Sequence, residues 1–177
     1  MSIETTYLQS AIKKFNDYKQ LADKTFDQLS DADFLYQPNS ASNSIAIIIQ
    51  HMHGNMLSRW TNFLTEDGEK EGRQRDAEFE VQPLSKEQLL DLWSKGWQVL
   101  LDTLDSLQPD DLSKTITIRQ QPIIVIDAIN RQLTHYSYHV GQIVLLGKWI
   151  RADEWQSLSI EKGHSQQYNE QLKQHNK

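Results

Sequence analysis

Two histidines lie four residues apart in the segment NRQLTHYSYHVGQIVLLGKW, residues 130–149, and imidazoles are common metal ligands. Side chains at positions i and i+4 share a face of an α-helix, so His135 and His139 can bind one ion if this segment is helical. The same spacing occurs in the zinc-protease motif H-E-x-x-H. No glutamate follows His135 here, so the general base of that motif is missing and a metalloprotease of that type is excluded.

A third metal ligand has to come from another helix, because two histidines are too few for a tight site. The candidates are His51 and His53 in the segment IIIQHMHGNMLSRW. Their side chains project to opposite sides of a helix, so we expect only one of them to reach an ion. A mild argument favours His51, whose face carries polar groups that can orient an imidazole, and His53 stays an alternative. Those polar residues are Ser44, Asn55, Ser58 and Asn62.

The helix that carries the histidine pair is predicted to have two separate polar stripes in an otherwise apolar cylinder. One stripe can face water, so the stripe with both histidines is expected in or near a bundle interior, where polar groups need partners. The polar residues of this second stripe are Arg131, Gln132, His135, His139 and Gln142. Such a site either binds a metal or consists of hydrogen-bonded interhelical histidines without one.

The elements that must position these residues are predicted to be helices. Only four prolines punctuate the chain. Apolar residues recur with a helical period over residues 3–30, 44–65, 85–107 and 123–150. The segment 66–84 is charged and aperiodic and is predicted to be a long surface loop. Four long amphipathic helices are typical of an all-α bundle.

Two shorter segments complete the predicted architecture. KTITIRQQPIIV, residues 114–125, is rich in β-branched residues and is predicted to form a small hairpin or extended connector before the last long helix. DEWQSLSIEKGHSQQYNEQLK, residues 153–173, is more polar. It is expected to form a short additional C-terminal helix that packs across one end of the bundle.

The composition is that of one soluble globular domain over residues 1–177. The chain is 38% hydrophobic and 24% charged, and its net charge of −6 argues against a nucleic-acid partner. Its aliphatic runs are too short to cross a membrane, and its N-terminus lacks the pattern of a signal peptide, so we expect a cytoplasmic protein. It has no cysteine, which excludes thiolate metal ligands and a protein thiol nucleophile. Any thiol chemistry would therefore need a small-molecule thiol.

The histidine pattern resembles that of a known superfamily. A histidine on the second predicted helix, followed by H-x-x-x-H on the last long helix, resembles the DinB-like bundle proteins. That superfamily includes the YfiT-type metal-dependent hydrolases and the bacillithiol and mycothiol S-transferases. The segments NSIAIIIQHMHGNMLSRW, LTHYSYHVGQIVLLGKW and LSIEKGHSQQYN are similar to a subgroup of uncharacterised DinB-like proteins, and the likeness covers residues 5–170.

The resemblance implies an up-down-down-up four-helix bundle, a divalent metal such as zinc or nickel, and a homodimer. It implies the metal ligands His51, His135 and His139, because the first histidine after the apolar IAIII run matches the family position. It also implies a metal-dependent enzyme of hydrolase or thiol S-transferase type that acts on a small molecule. A transferase would use a low-molecular-weight thiol as its co-substrate.

Five further residues are candidates for substrate binding or for orienting the ligands, and they are Asn55, Arg59, Arg131, Gln132 and Gln142. The two arginines have a simpler interpretation as salt-bridge partners, since Asp127 precedes Arg131 by four residues. Two other functions stay open for the whole chain. One is a noncatalytic metal- or ligand-binding bundle protein related to stress, and the other is an interaction protein whose histidines are structural.

Overall fold

The computed structural model describes residues 2–175, which form six α-helices and one two-stranded antiparallel hairpin. The long helices are α1 (Ile3–Phe26), α3 (Ile45–Trp60), α4 (Lys86–Ser106) and α5 (Val125–Arg151), and the short ones are α2 (Asp31–Phe34) and α6 (Ser165–His175). The strands are β1 (Thr115–Ile118) and β2 (Gln121–Ile124). The prediction of a mostly helical protein with a small hairpin before the last long helix is confirmed.

Serine residues begin three of the long helices, because a serine hydroxyl can accept a backbone N–H of the first turn that has no partner within the helix. The capping-box pattern of Ser85 and Gln88 is present at the start of α4. At the start of α1 the Ser2 hydroxyl accepts the N–H of Thr5, and at the start of α3 the Ser44 hydroxyl accepts the N–H of Ile47. α3 ends before the predicted residue 65, since Asn62 adopts a left-handed conformation with φ of 50°.

The four long helices surround one apolar core. α1 packs against α4 and α5, and α3 packs against the same two helices. At the centre, the rings of Phe15, Trp97 and Tyr136 lie with their centroids 6.0–6.3 Å apart. The Trp60 indole N–H donates to the Tyr136 hydroxyl at 3.1 Å, and that hydroxyl donates to Asn55 Oδ1 at 2.9 Å. This buried chain of hydrogen bonds fixes α3 against α5.

The long loop between α3 and α4 is irregular, as predicted, except for a 3₁₀ turn at Asp76–Phe79 that packs on α3. Its first part pairs with the tip of the hairpin. Gly68 donates its N–H to the Thr117 carbonyl at 2.8 Å, and Asp67 accepts the backbone N–H groups of Arg119 and Gln120 at 2.8 and 2.7 Å. The loop and the hairpin therefore form one rim beside α3.

The C-terminal helix α6 differs from the expectation that it would pack across the end of the bundle. Every side chain from Ser165 to Gln174 is exposed, so this helix buries little surface. Its polar sequence offers few apolar side chains to dock, and the largest, Tyr168 and Leu172, are 43% and 45% exposed. Among residues 2–175, none of the helices combines the length and the apolar character needed to cross a bilayer.

Candidate metal centre

Three histidines from two helices meet in one cluster. His51 lies in the middle of α3, and His135 and His139 lie one turn apart on α5. One ring nitrogen of each lies within 4.8 Å of the other two. The Nε2 atom of His135 is 3.3 Å from Nε2 of His51 and 3.0 Å from Nε2 of His139. The structure thus brings together the three histidines predicted as ligands.

A carboxylate from the long loop holds His51. The Nδ1–H group of His51 donates to Glu78 Oε2 at 2.9 Å, and Arg73 donates to both oxygens of the same carboxylate at 2.7 and 2.8 Å. Burial raises the pKa of Glu78, but hydrogen bonds from His51 and Arg73 and the Arg73 charge outweigh it and hold that pKa below its usual value. The ionised carboxylate fixes the His51 ring, which also lies 4.7 Å from the Phe79 ring, centroid to centroid.

Glutamine side chains accompany the two histidines of α5. The Nδ1–H group of His139 donates to Gln142 Oε1 at 2.8 Å, and Gln142 Nε2 donates to the Tyr138 hydroxyl at 3.1 Å. Gln132 Oε1 lies 3.4 Å from Nδ1 of His135, a longer and weaker contact. His139, like His51, therefore has a close partner at Nδ1, while His135 has only a loose one.

The orientation of the rings leaves the Nε2 lone pairs facing one another. Because His51 and His139 use Nδ1–H as the donor, their Nε2 atoms carry lone pairs when the rings are neutral. A neutral His135 carries a single ring N–H, so it can donate a hydrogen bond to at most one of these two lone pairs. A cation bound about 2.0–2.1 Å from each Nε2, at angles near 90–109°, would separate the nitrogens by roughly 2.9–3.4 Å. The separations of 3.0 and 3.3 Å from His135 to the other two histidines lie within this range.

The protonation state of the α5 histidines also suits metal binding. Burial, reinforced by the charges of His139, His51 and Arg59, lowers the pKa of His135 to about 3. Burial lowers the pKa of His139 to about 4, although the hydrogen bond to Gln142 opposes this shift. Both rings are therefore neutral at pH 7, and only a neutral imidazole can ligate a metal.

His53 lies on the other side of α3, away from the cluster. It packs against α4, where a Cβ added to Gly96 would lie 3.3 Å from the His53 Cα and 3.5 Å from its Nδ1. That Nδ1 atom is buried without a hydrogen-bond partner, and burial lowers the pKa of the ring. His51 and His53 lie two residues apart on a helix, so their side chains point to different sides. Because the His51 ring lies in the cluster, the His53 ring lies outside it.

A glycine of α3 makes room for Glu78. A Cβ added to Gly54 would lie 2.7 Å from the Glu78 carboxyl carbon, which is closer than real side chains approach. With the carboxylate in this position, no side chain fits at residue 54 without displacing it. This requirement explains a glycine inside a helix, where it costs up to about 1 kcal/mol relative to alanine.

A cavity of about 310 Å³ opens beside the cluster, on the side of His51 and His135. The candidate residues Asn55, Arg59, Arg131 and Gln132 line it, whereas the fifth candidate, Gln142, lies against His139. Arg59 is buried and donates to Glu69 Oε2 at 2.9 Å, as the salt-bridge interpretation predicted. Arg131 has no ion pair with Asp127 or with any other residue of the described part of the chain.

The residues missed by the sequence analysis come from the long loop. Glu78, Arg73 and Phe79 contact His51 or its carboxylate partner, but this loop has no periodicity from which a facing direction can be read. The available signal was weak. It consisted of a loop with many charged residues and a glycine inside α3.

The comparisons with known proteins give a family but no activity. No curated protein matches the chain. A family model described as "Protein of unknown function (DUF1572)" matches residues 2–164, which include all three histidines of the cluster. Since the match spans nearly the whole chain, the protein belongs to the DUF1572 family.

Proposed function

We propose that the protein is a divalent-metal-dependent enzyme of thiol S-transferase or hydrolase type that acts on a small molecule. His51, His135 and His139 are its metal ligands. The observation that carries the proposal is the convergence of their Nε2 atoms, with Nδ1 of His51 and of His139 held by an acceptor. Carboxylate–histidine–metal arrangements of this kind are common, and imidazole ligands suit zinc and nickel.

Three imidazole ligands leave an open coordination position, and the ion would act there as a Lewis acid toward water or a thiol. The chain's own residues supply the positioning. Glu78 and Gln142 keep the rings of His51 and His139 in the ligating orientation. The cavity beside His51 and His135 admits the substrate, which the amides of Asn55 and Gln132 contact.

Both reactions need an activated nucleophile. The described residues that line the cavity include no carboxylate, so none of them is placed to take a proton from water as a general base. The ion itself would lower the pKa of a bound water toward 7, and that of a thiol from about 8.5, so it could activate either nucleophile. The protein has no cysteine, so any thiol in the reaction must come from a small molecule. For the same reason the electrophile cannot modify a thiol of the protein itself.

We also propose membership of the DinB-like superfamily, with a single domain whose long helices run up-down-down-up. Three contacts support these directions. The starts of α1 and α5 are joined, the start of α4 meets the end of α1, and the ends of α3 and α4 are joined. The contacts are Tyr7 with Asn130, Lys86 with the Phe26 carbonyl, and Thr103 with the Trp60 carbonyl.

The metal proposal is tested by elemental analysis of protein purified without a histidine tag, next to a His135→Ala variant. About one equivalent of zinc or nickel in the unchanged protein and little in the variant is expected. Turnover of a thiol with an electrophile, compared with an ester or amide, then separates transferase from hydrolase. Protein that binds the metal but turns over neither substrate class would favour the noncatalytic binding protein, and absence of metal would leave the histidines structural.

A homodimer is proposed through the exposed face of α5. Tyr138, Leu145 and Trp149 lie on one face of this helix and are 62–69% exposed. Apolar side chains of this size gain free energy when a second copy covers them. Light scattering should give a dimer that Leu145→Lys with Trp149→Lys converts to a monomer. A mass near the monomer's 20.6 kDa at all working concentrations would refute self-association.

A further inference from the structure

The cavity beside the histidine cluster carries an unusual concentration of positive charge for an acidic protein. Five of its nine lining residues are arginines, although the whole chain has a net charge of −6. They come from α3, from the long loop, from the hairpin turn and from α5. The five are Arg59, Arg73, Arg75, Arg119 and Arg131.

Three of the arginines have carboxylate partners. Arg59 and Arg119 both donate to Glu69 Oε2, at 2.9 and 3.0 Å. Arg73 donates to Glu78 and lies 3.4 Å from Glu69 Oε1. A structural role as a clamp between the loop, the hairpin and α3 accounts for these three. Two carboxylates shared among them still leave one positive charge unbalanced.

The other two arginines have no such structural explanation. Arg75 stacks over the Phe79 ring at 5.4 Å and makes no ion pair, and neither does Arg131, within residues 2–175. Both residues are exposed. They face the same cavity as the clamp, on the side where His51 and His135 lie. Guanidinium groups without a protein anion in a concave site are suited to binding an anionic ligand.

The backbone of the hairpin turn fixes the position of Arg119. Arg119 and Gln120 both adopt left-handed conformations, with φ of 55° and 62°, which disfavour residues other than glycine. The Asp67 carboxylate accepts both of their backbone N–H groups and so holds the turn. The turn delivers the Arg119 guanidinium to Glu69 at the edge of the cavity.

We propose that this cavity is a subsite for an anionic group, a carboxylate or a phosphate, on the small molecule that reacts at the histidine cluster. The inference rests on the proposed metal enzyme for its reaction, but the arginines bind the anion whether or not a metal is present. Arg131 and Arg75 supply two guanidinium groups without a carboxylate partner, and Arg59, Arg73 and Arg119 shape the site.

The test is calorimetric titration of the full chain with inorganic phosphate and with malonate, in metal-loaded and in chelator-treated protein. Arg131→Gln removes a cavity charge without leaving a protein carboxylate unpaired. The control for net charge is Lys13→Gln, which removes one positive charge from an exposed site on α1, where Asp17 keeps Lys14 as a partner. We expect both forms of the protein to bind at least one probe. Arg131→Gln should weaken that binding about tenfold or more, and Lys13→Gln should leave it within about twofold.

The outcomes separate this inference from the proposed function. Binding that disappears on chelation but is unchanged in Arg131→Gln would overturn the subsite, since the metal alone would then hold the anion. Equal weakening by Arg131→Gln and Lys13→Gln would also overturn it, because net charge would explain the result. Anion binding that depends on Arg131 in a protein that binds no metal would keep the subsite and refute the metal enzyme. A preference for phosphate or malonate identifies the anion.

Discussion

The orientation of the His51 ring is fixed by Glu78, which lies twenty-seven residues away in the chain. An imidazole on a helix can rotate about its side-chain bonds, and the Glu78 carboxylate removes that freedom by accepting its Nδ1–H. Arg73 in turn holds the carboxylate with two hydrogen bonds. The site therefore depends on a loop residue as much as on the helix that carries the ligand.

Replacing Glu78 with glutamine is expected to weaken metal binding about 10–100-fold, as loss of an orienting partner typically does. The amide is similar in size but is a weaker acceptor, and it leaves Arg73 with Glu69 at 3.4 Å as its only carboxylate partner among the described residues. Metal affinity is measured by competition with a chromogenic chelator. The control is Glu80→Gln, whose carboxylate is exposed and lies outside the cluster. Equal affinity in the two variants would mean that Glu78 does not orient His51.

Gly54→Ala tests the same contact from the helix side. The added methyl group competes with the Glu78 carboxylate for space, so metal affinity should fall although alanine favours the helix. Gly141→Ala is the matched control, because a Cβ there meets no atom within 4 Å. It should leave affinity unchanged and stabilise the fold by up to about 1 kcal/mol. Full affinity in Gly54→Ala would show that Glu78 can move without consequence.

At the scale of elements, the sequence predicted the helices better than their junctions. Helical periodicity identified the α5 face that joins His135, His139 and Gln142, because that face is polar between apolar neighbours. It could not separate His51 from His53, since α3 is apolar nearly all round. The role of Glu78 could not be predicted from the sequence, because its contact with α3 depends on how an aperiodic loop folds back.

The hairpin turn gives an element-scale prediction. Gln120 has a φ of 62° and no side-chain hydrogen bond in the described chain, and it is exposed. Gln120→Gly should therefore remove the backbone strain of the left-handed conformation and raise the free energy of unfolding by about 1 kcal/mol. Chemical denaturation measures the change. The control is Gln166→Gly in the exposed helix α6, which should not stabilise the protein. A loss of stability in Gln120→Gly would contradict this turn conformation.

At the scale of the whole molecule, the buried histidines link stability to pH. The pKa values of His135 and His139 are lowered from 6.5 to about 3 and about 4 in the fold. Between those values the unfolded chain binds protons that the folded chain does not, so the free energy of unfolding falls as pH falls. For metal-free protein this loss should begin near pH 6.5 and continue to about pH 3, the lower of the two folded pKa values.

Urea denaturation of metal-free protein at pH 7 and pH 5 measures this loss. His139→Gln should reduce it, because one group that titrates only in the unfolded state is removed. His164→Gln, at an exposed site, should leave the loss unchanged. The same pH dependence in His139→Gln as in the unchanged protein would show that carboxylates, and not the cluster, govern stability in this range.

The central claim is that His51, and not its neighbour two residues later, completes a metal site with the α5 pair. The most direct measurement is a metal titration of His51→Ala and His53→Ala, each compared with the unchanged protein. His51→Ala should lose most of the affinity, because two imidazoles remain and Glu78 has no ring to orient. His53→Ala should bind as the unchanged protein does, since its ring packs on α4. Loss of metal in His53→Ala with retention in His51→Ala would contradict the account.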